Sequence, residues 1–193
     1  MSEIAIAGYG FGSVEASPVT MDELALLRAS VLFGPDDEVA LREAGAILAD
    51  RVEQVLDVWY GFVGANPQLL AHFSSVEGEP IGDYLDGVRL RFGQWIRDTC
   101  LRPYDEAWLA YQHEIARRHT PEHKNRTDAV ASTSYVPLRY LIALIYPITA
   151  TVRPFLAADG VAVERVDAMH EAWRKSVTLQ IALWSRAYAP ELW

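Results

Sequence analysis

Apolar residues recur at intervals of three and four along most of the chain, which is the spacing of one face of an α-helix. The clearest run begins after Asp36 or Asp37 and ends near Gly64 and Pro67. Its apolar positions are Leu41, Ala44, Leu48, Val52, Val55, Trp59 and Phe62. The spacing predicts one long helix, because apolar residues at these steps share a face that can be buried.

A shorter helix is predicted before this one. Thr20 and Glu23 match the capping box of a helix start, so the first helix should begin near Met21. Residues 1–20 are rich in Gly, Ser and Ala and predict an N-terminal extension, with a flexible aromatic-bearing lid at its glycines. Residues 21–193 are predicted to form one domain, since a chain of 193 residues fits one domain better than two.

The rest of the chain continues the helical pattern. A short apolar segment at 69–73 and four further helices are predicted, at 84–100, 105–119, 138–155 and 166–188. The polar stretch 121–133 is predicted to be a loop, because Pro121 prevents smooth helix continuation. No strand pair is apparent, so the sequence predicts an all-α fold.

Composition limits the partners and the location. The net charge is −9, with 26 acidic against 17 basic residues, which disfavours nucleic acid and anionic membrane surfaces as partners. Cys100 is the single cysteine, so no internal disulfide can form, which favours a reducing compartment. The first basic residue is Arg28, and the longest charge-free apolar stretch, 140–152, is too short to span a bilayer. We therefore expect a soluble, cytoplasmic protein.

Three of the five histidines lie close together in the sequence. The zinc-protease helix needs two histidines four positions apart. His113 and His119 are six apart, and Pro121 separates His119 from His123. This spacing argues against a zinc site.

His119 is the last member of an apolar helix face, just before the loop. Such an imidazole can be the single axial ligand of a haem iron. More commonly, a histidine in this place is bonded to a carbonyl or interacts with the helix dipole. Trp59 and Tyr60 allow two interpretations as well, as core aromatics or as the wall of a ligand pocket in which the hydroxyl finds a partner. Position alone leaves these alternatives open.

No nucleophile motif, phosphate loop or dinucleotide fingerprint is present, and we predict no catalytic residue. Short blocks of sequence carry more information, because they occur in order over nearly the whole chain. Besides Gly8-Tyr9, they are VWYGFVG at 58–64, RFGQWI at 91–96, YQHEI at 111–115, RH at 118–119, KNRTD at 124–128, YPITAT at 146–151 and KSVTLQ at 175–180. At these blocks the sequence resembles the protoglobins, single-domain relatives of the haem-containing sensor domains.

The resemblance implies a globin-like helical sandwich with an extra N-terminal helix and an N-terminal extension. It also implies a haem b cofactor, with His119 as the proximal iron ligand and Trp59 and Tyr60 on the distal side. Arg91 is implied to lie near a haem propionate. The remaining pocket positions that the resemblance implies are Val63, Phe73, Phe92, Leu144 and Ile148.

The chain departs from the usual pattern of this family at three positions. Leu144 stands where the family often has Phe, Thr120 where a second His is common, and His72 where an aromatic usually precedes Phe73. The smaller Leu144 is expected to open space beside the haem. Iron ligation is not affected, because His119 is retained.

The resemblance implies reversible binding of O2, CO or NO, in gas sensing, storage or detoxification, and a homodimer through the last two long helices. Two alternatives remain open. One is a haem-dependent enzyme acting on peroxide, nitrite or NO, or transferring carbenes in an engineered setting. The other is a haem-free helical signalling module.

Overall fold

The computed structural model describes residues 5–157 and 160–193, and this part of the chain is all-helical. Its α-helices are α1 Met21–Ser30, α2 Pro35–Leu48, α3 Val52–Gly64, α4 Pro67–Leu70, α5 Gly82–Leu101, α6 Glu106–Arg117, α7 Leu138–Leu156 and α8 Val163–Ser185. Short 3₁₀ helices lie at Ala71–Phe73, Arg186–Tyr188 and Pro190–Leu192. Pairing between extended segments is limited, in the described residues, to two isolated bridges. None of the described helices has the length and apolar character needed to cross a membrane.

Side-chain caps fix two of the predicted helix starts. At α1 the backbone N–H of Glu23 donates to Thr20 Oγ1 at 3.2 Å, and the Thr20 N–H donates to Glu23 Oε2 at 2.7 Å. At α6 the Asp105 carboxylate accepts a hydrogen bond of 2.9 Å from the Trp108 N–H. Each cap satisfies backbone donors that the first helical turn leaves free.

The prediction of one long helix from Asp36 to Gly64 is wrong, because α2 and α3 are separate helices. The helix is interrupted by a turn at residues 49–51, where Arg51 has a φ of −119° and a ψ of −2°. The Arg51 guanidinium donates to the Phe155 carbonyl at 2.9 Å, near the end of α7. The turn lets α2 pack against α8 and α5, while α3 packs against α5 and α7. These tertiary contacts decide the break, which the apolar periodicity does not reveal.

Helix α8 occupies the centre of the fold and packs against α2, α6 and α7. Trp173 and Met169 on α8 are fully buried. The crossing of α2 and α5 is close, since a Cβ at Gly45 would lie 2.8 Å from the Cys100 Cβ. Glycine is therefore required there by the approach of the two helices.

A buried hydrogen-bond network fixes α5 against α8. The Trp95 indole donates to Gln180 Oε1 at 2.6 Å. The Gln180 amide donates in turn to Thr99 Oγ1 at 3.2 Å and to Ser176 Oγ at 3.0 Å. Because every polar group in this network has a partner, its hydrogen bonds offset the cost of burying these groups, and the network can hold the two helices in one register.

Candidate functional site

A cavity of about 230 Å³ lies between α3, α5, α7, α8 and the loop that follows α6. Native protein interiors contain few voids larger than a water molecule, so an apolar-walled space of this size indicates a ligand site. The structure brings every site residue suggested by the sequence to its wall: Trp59, Tyr60, Val63, Phe73, Arg91, Phe92, His119, Leu144 and Ile148.

His119 reaches the cavity from the turn after α6, two residues beyond the last helical residue, Arg117. Its Nδ1 lies 2.8 Å from the carbonyl oxygen of Ile115. A carbonyl only accepts hydrogen bonds, so Nδ1 carries the proton and the neutral ring has its lone pair on Nε2. No described residue is hydrogen-bonded to Nε2. The ring thus offers a free nitrogen donor at the wall of the cavity.

Burial keeps this imidazole neutral. Desolvation lowers the pKa of His119 to about 4, and the hydrogen bond to the Ile115 carbonyl opposes this shift only in part. Neutral imidazole is the form that binds metals. His119 is therefore a competent ligand throughout the physiological pH range.

Three contacts hold His119 in place. Its ring stacks on the Trp184 indole, with the ring centroids 5.3 Å apart. Its carbonyl oxygen accepts hydrogen bonds from the Val136 N–H at 2.8 Å and from the Tyr188 hydroxyl at 3.2 Å. Partners on α8, after α8 and just before α7 therefore orient a residue that lies outside any helix.

A second hydrophobic cluster forms another wall of the cavity. Trp59, Val63 and Leu69 are its buried members. Phe92 meets Trp59 edge to face, with 5.7 Å between the ring centroids. Trp184, on which the His119 ring stacks, belongs to the main hydrophobic core, and Phe92 packs against both clusters. The imidazole and the aromatic side chains of α3 and α5 all border the same cavity.

Tyr60 adds a hydroxyl to this wall. Burial raises its pKa well above the ordinary value, so the phenol remains protonated. The hydroxyl has no hydrogen-bond partner among the described residues. It is a free donor on a surface that is otherwise largely apolar.

The N-terminal extension packs against the cavity-lining residues of α5 and α6. The Ala7 carbonyl accepts a hydrogen bond of 2.9 Å from Arg91, and Tyr9 meets the cavity-lining Tyr111 edge to face at 5.2 Å. Gly8 has φ +74°, and a Cβ there would lie 2.5 Å from the Thr127 Cγ2. The glycine thus lets the extension pass close to the loop after α6.

The sequence did not point to Lys124, although it also borders the cavity. It is only 6% exposed. Its Nζ donates to the Tyr84 hydroxyl at 2.7 Å and to the His72 carbonyl at 3.1 Å. Burial lowers the pKa of Lys124 to about 8. The only sequence signal was its place in the KNRTD block, which carries no indication of burial.

The cavity fits a haem on the chemistry of its wall. It combines a histidine with a free nitrogen, apolar aromatic surfaces that suit a flat macrocycle, and a buried ammonium, Lys124, that suits a carboxylate. In the described residues no group of three or more His, Cys, Asp or Glu side chains is placed to hold a metal ion by itself. An iron in this cavity would therefore depend on the porphyrin for its other ligands.

Comparisons with known proteins agree with this architecture. The protoglobin family profile matches residues 20–193. In structure the chain is similar to the globin domain of a Geobacter sulfurreducens globin-coupled sensor, with a TM-score of 0.63 and 14% sequence identity. The similarity covers 89% of this chain and 99% of that domain. No curated protein matches the sequence. The predicted all-α, globin-like fold is confirmed.

Proposed function

Because the chain belongs to the protoglobin family, we propose that it is a haem protein that binds O2, CO or NO reversibly in the cavity described above. The observation that carries this proposal is the state of His119. The ring is neutral, its Nδ1–H is bonded to the Ile115 carbonyl, and its Nε2 is free at the cavity wall.

In this proposal His119 holds the iron of a haem b. When bound, the haem would supply an iron to which a diatomic gas can bind. The Ile115 carbonyl fixes the tautomer of the imidazole and increases its basicity, as a hydrogen-bonded partner of a metal-ligating histidine does. Trp184 and Tyr188 restrict the movement of the ring and of its backbone.

The α3 and α5 wall is the proposed gas side. Trp59 and Phe92 limit its volume, and Val63, Phe73, Leu144 and Ile148 complete an apolar lining. An apolar lining excludes water and leaves the Tyr60 hydroxyl as a directed donor. We expect Tyr60 to favour O2, which becomes partly negative when bound, over the less polar CO.

The optical spectrum of the hemin-reconstituted, reduced chain tests this proposal. We expect a five-coordinate ferrous spectrum that changes to a CO spectrum on adding CO. His72 also borders the cavity, with its Nδ1 2.9 Å from Thr133 Oγ1. A five-coordinate spectrum before CO is added would show that His72 is not a second iron ligand. Six-coordination without gas would show a second protein ligand and contradict an open gas site.

The variant His119→Ala is expected to lose the hemin spectrum while keeping its helical circular dichroism. His113→Ala is the matched control, because His113 lies on α6, is partly buried and does not border the cavity. A wild-type chain that takes up no hemin would contradict the proposal and favour a haem-free signalling module.

We propose in addition that the chain forms a homodimer through its last two long helices. Helix α7 exposes apolar side chains, with Ile142 54% and Tyr146 81% exposed. Apolar residues at this spacing form a stripe that a partner can cover. Sedimentation should show a dimer for the wild type and a monomer for Tyr146→Glu. A wild-type monomer would contradict this assignment.

A further inference from the structure

Three cationic side chains border the cavity: Arg91, Arg118 and Lys124. Two of them are neutralised by protein carboxylates. Arg91 pairs with Asp128 at 2.7 Å, and Arg118 pairs with Glu114 at 2.8 Å. Among the described residues no carboxylate lies within ion-pair distance of Lys124. Within the described part of the chain, Lys124 is thus the cavity cation without a counter-ion.

The partners of the Lys124 ammonium are all neutral. The Tyr84 hydroxyl at 2.7 Å and the His72 carbonyl at 3.1 Å accept two of its hydrogen bonds. The third acceptor, Asn125 Oδ1, is at the limit of hydrogen-bond distance, 3.5 Å. An ammonium has three N–H donors, so one of them is poorly used within the protein.

A buried ammonium without a counter-ion is costly, because the protein interior solvates the charge less well than water does. Asp128 is the carboxylate that acts on Lys124 over a longer distance, but Arg91 already binds its oxygen. An anionic group in the cavity would give Lys124 a direct partner. The site therefore favours an occupant that carries a negative charge at this edge.

We propose that the Lys124 ammonium binds a carboxylate of the cavity occupant, namely a propionate of the haem. This inference rests on the function proposed above. It assigns to Lys124 the contact that the sequence resemblance gave to Arg91, whose guanidinium is engaged with Asp128 and the Ala7 carbonyl. Arg91 instead connects the N-terminal extension to the loop after α6.

The test compares hemin with its dimethyl ester, in which both propionates are esterified and uncharged. The dissociation constant of each compound is measured for the wild-type chain, Lys124→Met and Arg126→Met. Met removes the charge at similar length. Arg126 is the matched control, because it lies exposed on the same loop and does not border the cavity.

We expect the wild type and Arg126→Met to bind hemin more tightly than the diester. Lys124→Met should reduce this preference by about 10- to 100-fold, the range for hydrogen bonds between charged groups. Its affinity for the diester should remain that of the wild type. Circular dichroism and urea unfolding verify that each variant is folded.

Two outcomes for Lys124→Met would overturn the inference: an unchanged preference for hemin over the diester, or an equal loss of affinity for both compounds, which would show a structural role. Lys124→Arg keeps the positive charge and should keep the preference for hemin over the diester. This variant tests the inference even if Lys124→Met does not fold. If Lys124→Arg loses it while folded, the inference fails. A wild type that binds neither compound would instead contradict the proposed haem function, and this assignment with it.

A free anion is the other source of the same chemistry. If Lys124 binds a free carboxylate as well, acetate at high concentration should compete with the propionate and weaken hemin binding to the wild type. Diester binding should remain unchanged. This result would support Lys124 as an anion site. Acetate that weakens the binding of both compounds equally would count against it.

Discussion

The imidazole of His119 and the indole of Trp184 stack with their centroids 5.3 Å apart and their planes inclined by 20°. The Trp184 Nε1–H donates to Gln112 Oε1 at 2.9 Å, so a hydrogen bond to α6 holds the indole. The candidate iron ligand therefore lies on an aromatic surface supplied by α8 and fixed from α6. Its orientation depends on the packing of these two helices.

Trp184→Phe should keep an aromatic surface under His119 but leave Gln112 Oε1 without its donor. Leaving a buried acceptor unpaired costs about 1–3 kcal/mol, so the free energy of unfolding of the haem-free chain should fall by about that amount. Urea unfolding measures this change. Trp193→Phe is the control, because Trp193 is 41% exposed at the C-terminal end. Equal stability of the two variants would show that the Gln112 hydrogen bond contributes little.

Tyr60→Phe should separate gas affinity from stability. The Tyr60 hydroxyl has no described hydrogen-bond partner, so its removal should leave urea unfolding of the haem-free chain nearly unchanged. A hydrogen bond contributes about 1 kcal/mol net, so O2 affinity should fall roughly fivefold while CO affinity changes less. Gas titrations of the reduced haem-loaded chain measure both affinities. Equal changes for O2 and CO would argue against a hydrogen bond to the ligand.

The buried Lys124 should make the stability of the haem-free chain depend on pH. Its pKa is about 8 when folded and 10.5 by its ordinary value, so the unfolded chain binds this proton more tightly. The free energy of unfolding should therefore rise between about pH 8 and pH 10.5, by up to about 3 kcal/mol. Below about pH 8 Lys124 is protonated in both the folded and the unfolded chain, so this gain in the free energy of unfolding is absent.

Urea unfolding of the wild type and Lys124→Met across this range isolates the effect, because the other titrating groups are common to both chains. The difference in unfolding free energy should change with pH in the stated direction. Parallel curves would show that Lys124 titrates normally.

Leu144→Phe should narrow the cavity without disturbing the core. Leu144 borders the cavity and is only partly buried, so a larger ring can extend into open space. We expect slower CO association after flash photolysis, because the ring restricts ligand access. Leu90→Phe on α5 is the control, since Leu90 is exposed and does not border the cavity. Faster or unchanged association in Leu144→Phe would show that gas enters by another path.

Most of the helices, and the capping box of the first one, were predictable from the sequence, because they depend on residues that are close together along the chain. Thr20, Glu23 and Asp105 satisfy donors within three positions, and the periodic apolar residues mark the buried faces. His119 at the end of an apolar face could also be recognised. The carbonyl that accepts its Nδ1–H hydrogen bond belongs to Ile115, only four residues earlier, so this contact is local as well.

Contacts between distant residues decided the rest. The apolar pattern runs unchanged through residues 49–51, yet Arg51 bonds to Phe155 and the chain turns there. The turn lets α2 pack mainly against α8 and α5, whereas α3 packs against α5 and α7. Local spacing likewise held no sign that Arg91 would pair with Asp128 and leave Lys124 buried without a counter-ion. Charge pairing is a property of three-dimensional neighbours, and only the folded chain defines those neighbours.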